Sequence, residues 1–243
     1  MYNILRPAHS NFTVAILTMA GLLAMPGPVR AQSTTTGKAP AAGALPATIP
    51  IFPLPDVMLF PNLSVPLHIF EPRYRAMVAD ALKGDRIIGM ALLRPGYEAD
   101  YDRRPSIFPI GCAGVITEVE ALPNGEYNIV LTAVAKFRIT REEAGKPYRV
   151  ALVTAVPEVL ADKDKIPLSA QRQKLEAQLA ASSGRSGVGR IPPGISDEEF
   201  VNGLAQYVDV DPLDRLQLLE REGVLSRAGA LIDLLEKIVA TPR

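Results

Sequence analysis

The sequence predicts an α+β protein, a small antiparallel β-barrel with one early helix followed by a C-terminal helical bundle, and three observations predict it. Five prolines (Pro50, Pro53, Pro55, Pro61, Pro66) punctuate two apolar runs between Ile49 and Ile69. Proline cannot donate to a sheet ladder, so these runs are expected to be short strands that lie at an edge or are bulged. The chain from Ile107 to Val156 then alternates apolar and polar residues with a period of two, the pattern of half-buried strands joined by hairpins. From Lys163 onward the apolar period changes to about 3.6, the repeat of amphipathic helices.

In chain order, the early helix follows the second apolar run. Pro72 stands at its expected first position and Gly84 just past its end, which is the usual asymmetry of helix termini. Tyr74, Met77, Val78, Ala81 and Leu82 give it one apolar face. Arg86–Leu93 is almost continuously apolar and reads as a strand covered on both faces, whereas Arg94–Ser106 carries charges, glycine and two prolines and reads as a surface loop. Asn124-Gly125 supplies the positive φ that a tight hairpin needs between the strands on either side. The expected helices are Leu168–Ala181, one opened by Ser196 with Glu199 three residues later as a capping box, one opened by Asp211-Pro212, and one over about residues 224–239. Their apolar stripes call for partners and argue a bundle of roughly four helices.

The first residues have the three parts of a secretory signal peptide. Arg6 supplies the positive charge, Phe12–Met25 the uncharged apolar stretch, and Val29-Arg30-Ala31 the small residues before a cut. Residues 1–31 are expected to be the signal, 32–48 a flexible tether, 49–160 the barrel and 161–243 the bundle. Cleavage after Ala31 removes Arg6 and Arg30 and leaves two more acidic than basic residues in the mature chain. The expected location is periplasmic or secreted, with no integral membrane span after signal cleavage.

Little in the mature chain suggests catalysis. Lysine plus arginine and aspartate plus glutamate number 26 each, so no basic excess argues for nucleic acid as a partner. The only cysteine is Cys112, which rules out an intramolecular disulfide and reads as a small buried hydrophobe. His68 is the only histidine outside the expected signal peptide, and no paired-histidine spacing supports a zinc site. Gly184–Arg190 lacks the full phosphate-loop pattern and reads as a linker. No cofactor or metal site is expected.

One family does match. Ile49-Pro-Ile-Phe-Pro-Leu-Pro-Asp-Val-Met-Leu-Phe-Pro61 followed by Val65-Pro-Leu-His-Ile-Phe-Glu-Pro-Arg-Tyr-Arg75 resembles the start of the N-terminal substrate-binding domain of Lon proteases, in the form of a stand-alone bacterial protein. Ile110–Ile116, Leu122–Ile129, Ala133–Arg138, Leu216–Glu220 and Arg227 agree in order, so the resemblance covers roughly residues 47–240. It implies a PUA-like β-barrel followed by a helical bundle, a module that recognises protein substrates. The ATPase and Ser-Lys protease modules of Lon find no counterpart in these 243 residues, so the expected protein is not an enzyme.

The resulting expectation is an exported, non-catalytic protein-binding module for exposed or unfolded polypeptide segments or another envelope protein, acting in envelope quality control. The proline-interrupted edge strand and the seam between barrel and helices are the expected contact surface, by strand addition or groove binding. Phe52, Leu59, Phe60, Tyr74 and Met77 are the candidate binding residues. The alternative is an ATP-independent hydrolase using His68 or a serine such as Ser64.

Overall fold

The computed structural model describes residues 45–101, 103–181 and 194–240. The expected signal peptide, most of the expected tether and the Gly184–Arg190 linker lie outside the described residues. Six strands come first: β1 (Thr48–Leu54), β2 (Ser64–Ile69), β3 (Ile87–Leu93), β4 (Ile107–Ala121), β5 (Tyr127–Glu143) and β6 (Arg149–Val156). Helix α1 (Pro72–Ala81) lies between β2 and β3. The helical part comprises α2 (Asp162–Ala181), α3 (Asp197–Tyr207), α4 (Pro212–Glu220) and α5 (Val224–Ala240). No helix among the described residues is long and apolar enough to cross a membrane.

The sheet order is β2-β5-β4-β3-β1-β6, and β5 also pairs with β6. That last pairing closes β5-β4-β3-β1-β6 into a ring of five strands. β5 is long enough to serve two neighbours on one edge: Tyr127–Thr132 pairs with β2, and Lys136–Glu143 pairs with β6. The sheet is mixed, whereas the expected barrel is antiparallel, because β1 and β3 run parallel. The chain between them holds β2 and α1, and a connection of that length can return to the end where β1 began.

The prolines of β1 show how a proline-bearing strand sits inside a ring. β1 pairs with β6 over Thr48–Ile51 and with β3 over Ile51–Leu54. The Val153 amide donates to the Ala47 carbonyl (2.8 Å), so the odd-numbered residues of β1 face β6 and the even-numbered ones face β3. Pro50 therefore faces β3 before that pairing begins, and Pro53 faces β6 after that pairing has ended. Each missing N–H falls where no neighbour needs it. Of the two expected edge strands, only β2 is one.

Both faces of β3 are buried and feed different clusters. Ile87 and Ala91 pack with Ile49, Ile51, Ala113, Phe137, Ala151 and Val153. Ile88 and Met90 pack with Phe52, Tyr74, Met77, Val78, Cys112 and Leu131, beneath α1. Leu92 joins a third cluster with Met58, Phe60 and Ile110 of the barrel and the apolar faces of α2–α5. The barrel and the helices thus share one core.

Local chemistry sets the starts of α3 and α4. The Ser196 hydroxyl accepts from the Glu199 amide (3.1 Å) while Glu199 accepts from the Ser196 amide (2.9 Å), so the capping box forms. The Ser196 amide, the larger cause, and the Ser196 hydroxyl, which donates to the same carboxylate (2.8 Å), hold the Glu199 carboxyl below its ordinary value. The Asp211 carboxylate accepts from the Leu213 amide (2.8 Å) and Pro212 opens α4. Helix α2 starts at Asp162, earlier than the expected Leu168, and carries Pro167 inside it. Its first turns have no apolar face for a periodicity to detect, since Ile166 is largely exposed.

Candidate polypeptide-binding surface

Among the described residues, β2 pairs with β5 on one side only, from Ser64↔Thr132 to Ile69↔Tyr127. The Ala133 amide donates to the Leu63 carbonyl (2.8 Å). Antiparallel alternation then directs the backbone groups of Val65, Leu67 and Ile69 toward β5 and those of Ser64, Pro66 and His68 away from it. Pro66 has no N–H to leave unpaired. What remains on the outer edge is a short template, chiefly the Pro66 carbonyl and the N–H and carbonyl of His68.

Each end of this edge carries an exposed aromatic ring. Phe70, 58% exposed, follows β2 and lies 6.0 Å from the His68 ring in a stacked orientation. Tyr207, 61% exposed, ends α3 and donates from its hydroxyl to the Ser64 carbonyl (3.4 Å). That bond also shows the Ser64 carbonyl pointing away from β5. Two exposed aromatics at the ends of an unpaired edge provide apolar contact where a second strand would lie.

The outer face behind the edge is polar and ordered by hydrogen bonds. His68 Nδ1 lies 2.8 Å from Asn128 Oδ1, and Asn128 Nδ2 donates to Glu120 (2.8 Å). His68 Nε2 lies 2.9 Å from Glu126. The neighbouring hydroxyls of Ser64, Thr132 and Thr117 form a second row, at 2.8 and 3.0 Å. Pro66, Val119 and Val130 line an open groove of about 470 Å3 between these rows and the two carboxylates Glu118 and Glu120.

Helix α3 is anchored to the start of β2 from the other side. Asn202 donates to the Pro61 carbonyl (2.9 Å), and Gln206 accepts from the Phe60 amide (3.0 Å). Beneath it lies a buried ionic cluster whose members come from both halves of the chain. Glu158, just after β6, pairs with Lys136 of β5 (2.6 Å) and with Arg227 of α5 (2.5 and 3.0 Å). Arg227 also donates to Asn202 (2.6 Å) and to the Leu218 carbonyl (3.0 Å), and Lys136 donates to the carbonyls of Leu219 (3.3 Å) and Arg221 (2.6 Å). Sequence reasoning missed this cluster as an ionic site, although Arg227 falls on the apolar stripe of α5 with Val224, Ala228 and Leu231, an anomaly that marks a buried charge.

The five candidate binding residues are all core side chains. Phe52, Leu59, Phe60, Tyr74 and Met77 are 0–5% exposed, so none of them lies on the outer surface beside β2. The exposed aromatic side chains beside β2 are instead Phe70 and Tyr207. The hydrolase alternative gains no support. Ser64 and His68 are four residues apart on one strand, about 13 Å at the usual rise, and the Ser64 hydroxyl is engaged with Thr132. His68 meets Asn128 and Glu126, neither of them a nucleophile of that kind. No group of three or more His, Cys, Asp or Glu side chains among the described residues could hold a metal.

Cys112 is fully buried and its thiol is pushed up to about 12, chiefly by desolvation, with Glu158 adding to it. Only the thiolate is an effective nucleophile. We expect no alkylation of the native protein at about pH 8 and full alkylation after denaturation. A folded-state value above the unfolded one also means that this group's contribution to stability is complete below pH 9 and is lost as the pH rises toward about 12. Native-state labelling followed by mass spectrometry, and urea melts across alkaline pH, check both.

The family model for the ATP-dependent protease La (LON) substrate-binding domain matches residues 48–237. The chain belongs to this family. The Lon protease of Cytophaga hutchinsonii is 24% identical over 79% of this chain and 24% of its own length. Lon protease 4 of Sorangium cellulosum is 26% identical over 81% of this chain and 26% of its own. The chain thus spans about a quarter of the length of these relatives. Among solved structures, the N-terminal domain of a Mycobacterium avium complex Lon protease superposes with a TM-score of 0.58 at 19% identity, covering 78% of this chain and 98% of that one. The Lon N-terminal domain protein of Xanthomonas campestris gives 0.51 at 19% identity, with 81% and 99% covered. These two establish the fold. The matched segment corresponds to the substrate-binding domain, with no ATPase or protease domain in the match.

Proposed function

We propose that this member of the LON substrate-binding family is a non-catalytic polypeptide-binding module that takes an extended segment of an exposed or unfolded chain as an added strand along β2. The observation that carries the reading is the unpaired edge of β2, with Phe70 and Tyr207 at its ends. The description of the family as substrate-binding domains supports polypeptides as the ligand class. Main-chain hydrogen bonds would give affinity with little sequence preference, which suits clients recognised because they are unfolded. The pattern Arg6, Phe12–Met25 and Val29–Ala31 supports export, and with it a role in envelope quality control. Export is tested by fractionation and N-terminal sequencing, with Gln32 expected as the first residue.

The binding reading has a direct test. The His68 N–H points away from β5, so His68→Pro removes an outer-edge donor without breaking a β2–β5 bond. His68→Ala removes the same side chain and keeps the donor. With unfolded polypeptides as ligands, His68→Pro is expected to bind about tenfold more weakly than His68→Ala. Equal affinities for the two variants, or no binding and no suppression of aggregation by the unaltered protein, would overturn the proposal.

A further inference from the structure

Away from the β2 edge, one mouth of the barrel holds a cavity of about 40 Å3 where the ends of β1 and β3, the first turn of α1, the loop before β4 and the start of β6 meet. That is room for roughly three water molecules, or for one carboxylate group. Its lining is rich in guanidinium groups. Arg73 is neutralised by Glu71 (2.8 Å) and stacks over the rings of Tyr74 and Tyr101, at 4.6 and 4.9 Å. Arg149, buried, pairs with Glu142 (2.7 Å) through Nη1 and donates to the Pro105 carbonyl through Nη2. Arg104 has no carboxylate partner among the described residues; it donates to the carbonyls of Glu143 (3.2 Å) and Lys146 (3.4 Å). A guanidinium has five N–H donors, so both Arg104 and Arg149 keep some in reserve.

The second observation is Tyr74. It is only 5% exposed, and its ring is fixed against Phe52 (centroids 4.5 Å). Its hydroxyl has no hydrogen-bond partner among the described residues, and Tyr74 lines the cavity. Buried polar groups of native proteins almost always have a partner, and an unpaired one at a cavity marks a place for one. Desolvation, the largest cause, raises the Tyr74 phenol above its ordinary value, so it remains a neutral donor at physiological pH.

We propose that this cavity is a carboxylate-binding site in which the Tyr74 hydroxyl donates to one oxygen and the reserve donors of Arg149 and Arg104 reach the other. Among the described residues, no carboxylate pairs with the Arg104 guanidinium, so Arg104 supplies the site's positive charge. A cavity of this size admits the terminal carboxylate of a polypeptide or a small free acid and excludes a bulkier ligand. The site is distinct from the β2 edge and stands or falls separately from strand addition.

The test uses the full chain and three probes: sodium acetate, acetyl-trialanine with a free carboxylate, and the same peptide as its C-terminal amide, with binding followed by calorimetry. The free acid is expected to bind at least about tenfold more tightly than the amide. Tyr74→Phe keeps the ring packing and is expected to weaken the acid about tenfold, as is Arg104→Gln. Acetate as tight as the peptide acid assigns the site to small acids, and a clear preference for the peptide acid assigns it to chain termini. Equal binding of acid and amide, no binding of either acid, or unchanged affinity in both variants with unaltered thermal melts would overturn the proposal. His68→Pro is expected to leave all of these values unchanged, which separates this site from the edge.

Discussion

Glu158→Ala destabilises the protein by about 3–5 kcal/mol, the range for removing one partner of a buried ion pair. Glu158 is the single carboxylate facing two cations that are almost wholly enclosed, Lys136 at 3% and Arg227 at 0% exposure. The remaining positive charge is offset by the end of α4. The carbonyls of Leu218, Leu219 and Arg221, at the C-terminus of that helix, accept from Arg227 and Lys136, where the helix dipole favours cations. Without Glu158 both cations keep these carbonyls and lose the carboxylate they share, in a region too dry for solvent to replace it. Lys136→Met in the Glu158→Ala background then recovers part of the loss, because it removes a charge that has become unpaired. Urea melts of the two single variants and the double variant measure the coupling. Strict additivity would show that the cluster is not a unit. The same cluster joins β5 and the end of β6 to α4 and α5, so its loss is also expected to loosen the anchoring of α3 through Asn202 and thereby the Tyr207 end of the β2 edge.

Phe137→Ala costs about 3–5 kcal/mol, the loss for truncating a fully buried aromatic ring, and the glycines around it argue that the site cannot collapse to compensate. Phe137 is 0% exposed, and its register partner on β4 is Gly111. A Cβ on Gly111 would stand 2.7 Å from the Phe137 ring and would also run into the Met90 carbonyl, while one on Gly89 would stand 2.8 Å from the same ring. The ring thus fills the space that two missing side chains leave on adjacent strands. Gly111→Ala in the unaltered protein should be destabilising by about 2–3 kcal/mol through overpacking. In the Phe137→Ala background the ring clash is gone and the Met90 carbonyl contact remains, so the Gly111→Ala penalty falls without vanishing. Denaturant melts of the four proteins close the cycle. An unchanged penalty would place the whole strain of Gly111→Ala at the Met90 backbone.

The acid limb of the stability curve has an identifiable contributor. Asp80 accepts from Lys146 (2.9 Å) and Tyr148 (2.8 Å), and Lys83 is 3.2 Å away. These bonds, led by that from Lys146, hold its carboxyl well below the usual carboxylate range. A depressed folded-state value stabilises above the unfolded-state value and is lost as the pH falls through the folded one, so this link between α1 and the β5–β6 turn weakens only in strong acid.

The parts of the architecture that were legible in the chain are those set by neighbours in sequence. Pro72 opens α1, Ser196 with Glu199 opens α3 and Asp211-Pro212 opens α4, each through groups within three residues of one another. Gly125 takes φ 79° in the β4–β5 turn for the same local reason. The parallel pairing of β1 with β3 was not legible, because nothing in either strand encodes direction and the choice rests on contacts closed across β2 and α1. The two proline-bearing runs look alike in sequence, yet only register reveals that β1 turns each missing N–H to an unpaired side inside the ring while β2 turns its own to solvent.

The surface beside β2 shows the same division. Apolar type and period selected Phe52, Leu59, Phe60, Tyr74 and Met77, and packing covered every one of them, because periodicity tells which residues share a face and not what lies against it. Phe70 and Tyr207 carry no distinguishing local pattern, and among the described residues they stand exposed at the two ends of the unpaired β2 edge. The sequence by itself determined the family, the order of strands and helices and the helix caps, all of which depend on residue chemistry at short separation. Tertiary structure alone decided which strand kept a free edge, which aromatics stayed in water and where Glu158 would meet two buried cations, since each depends on elements brought together from distant parts of the chain.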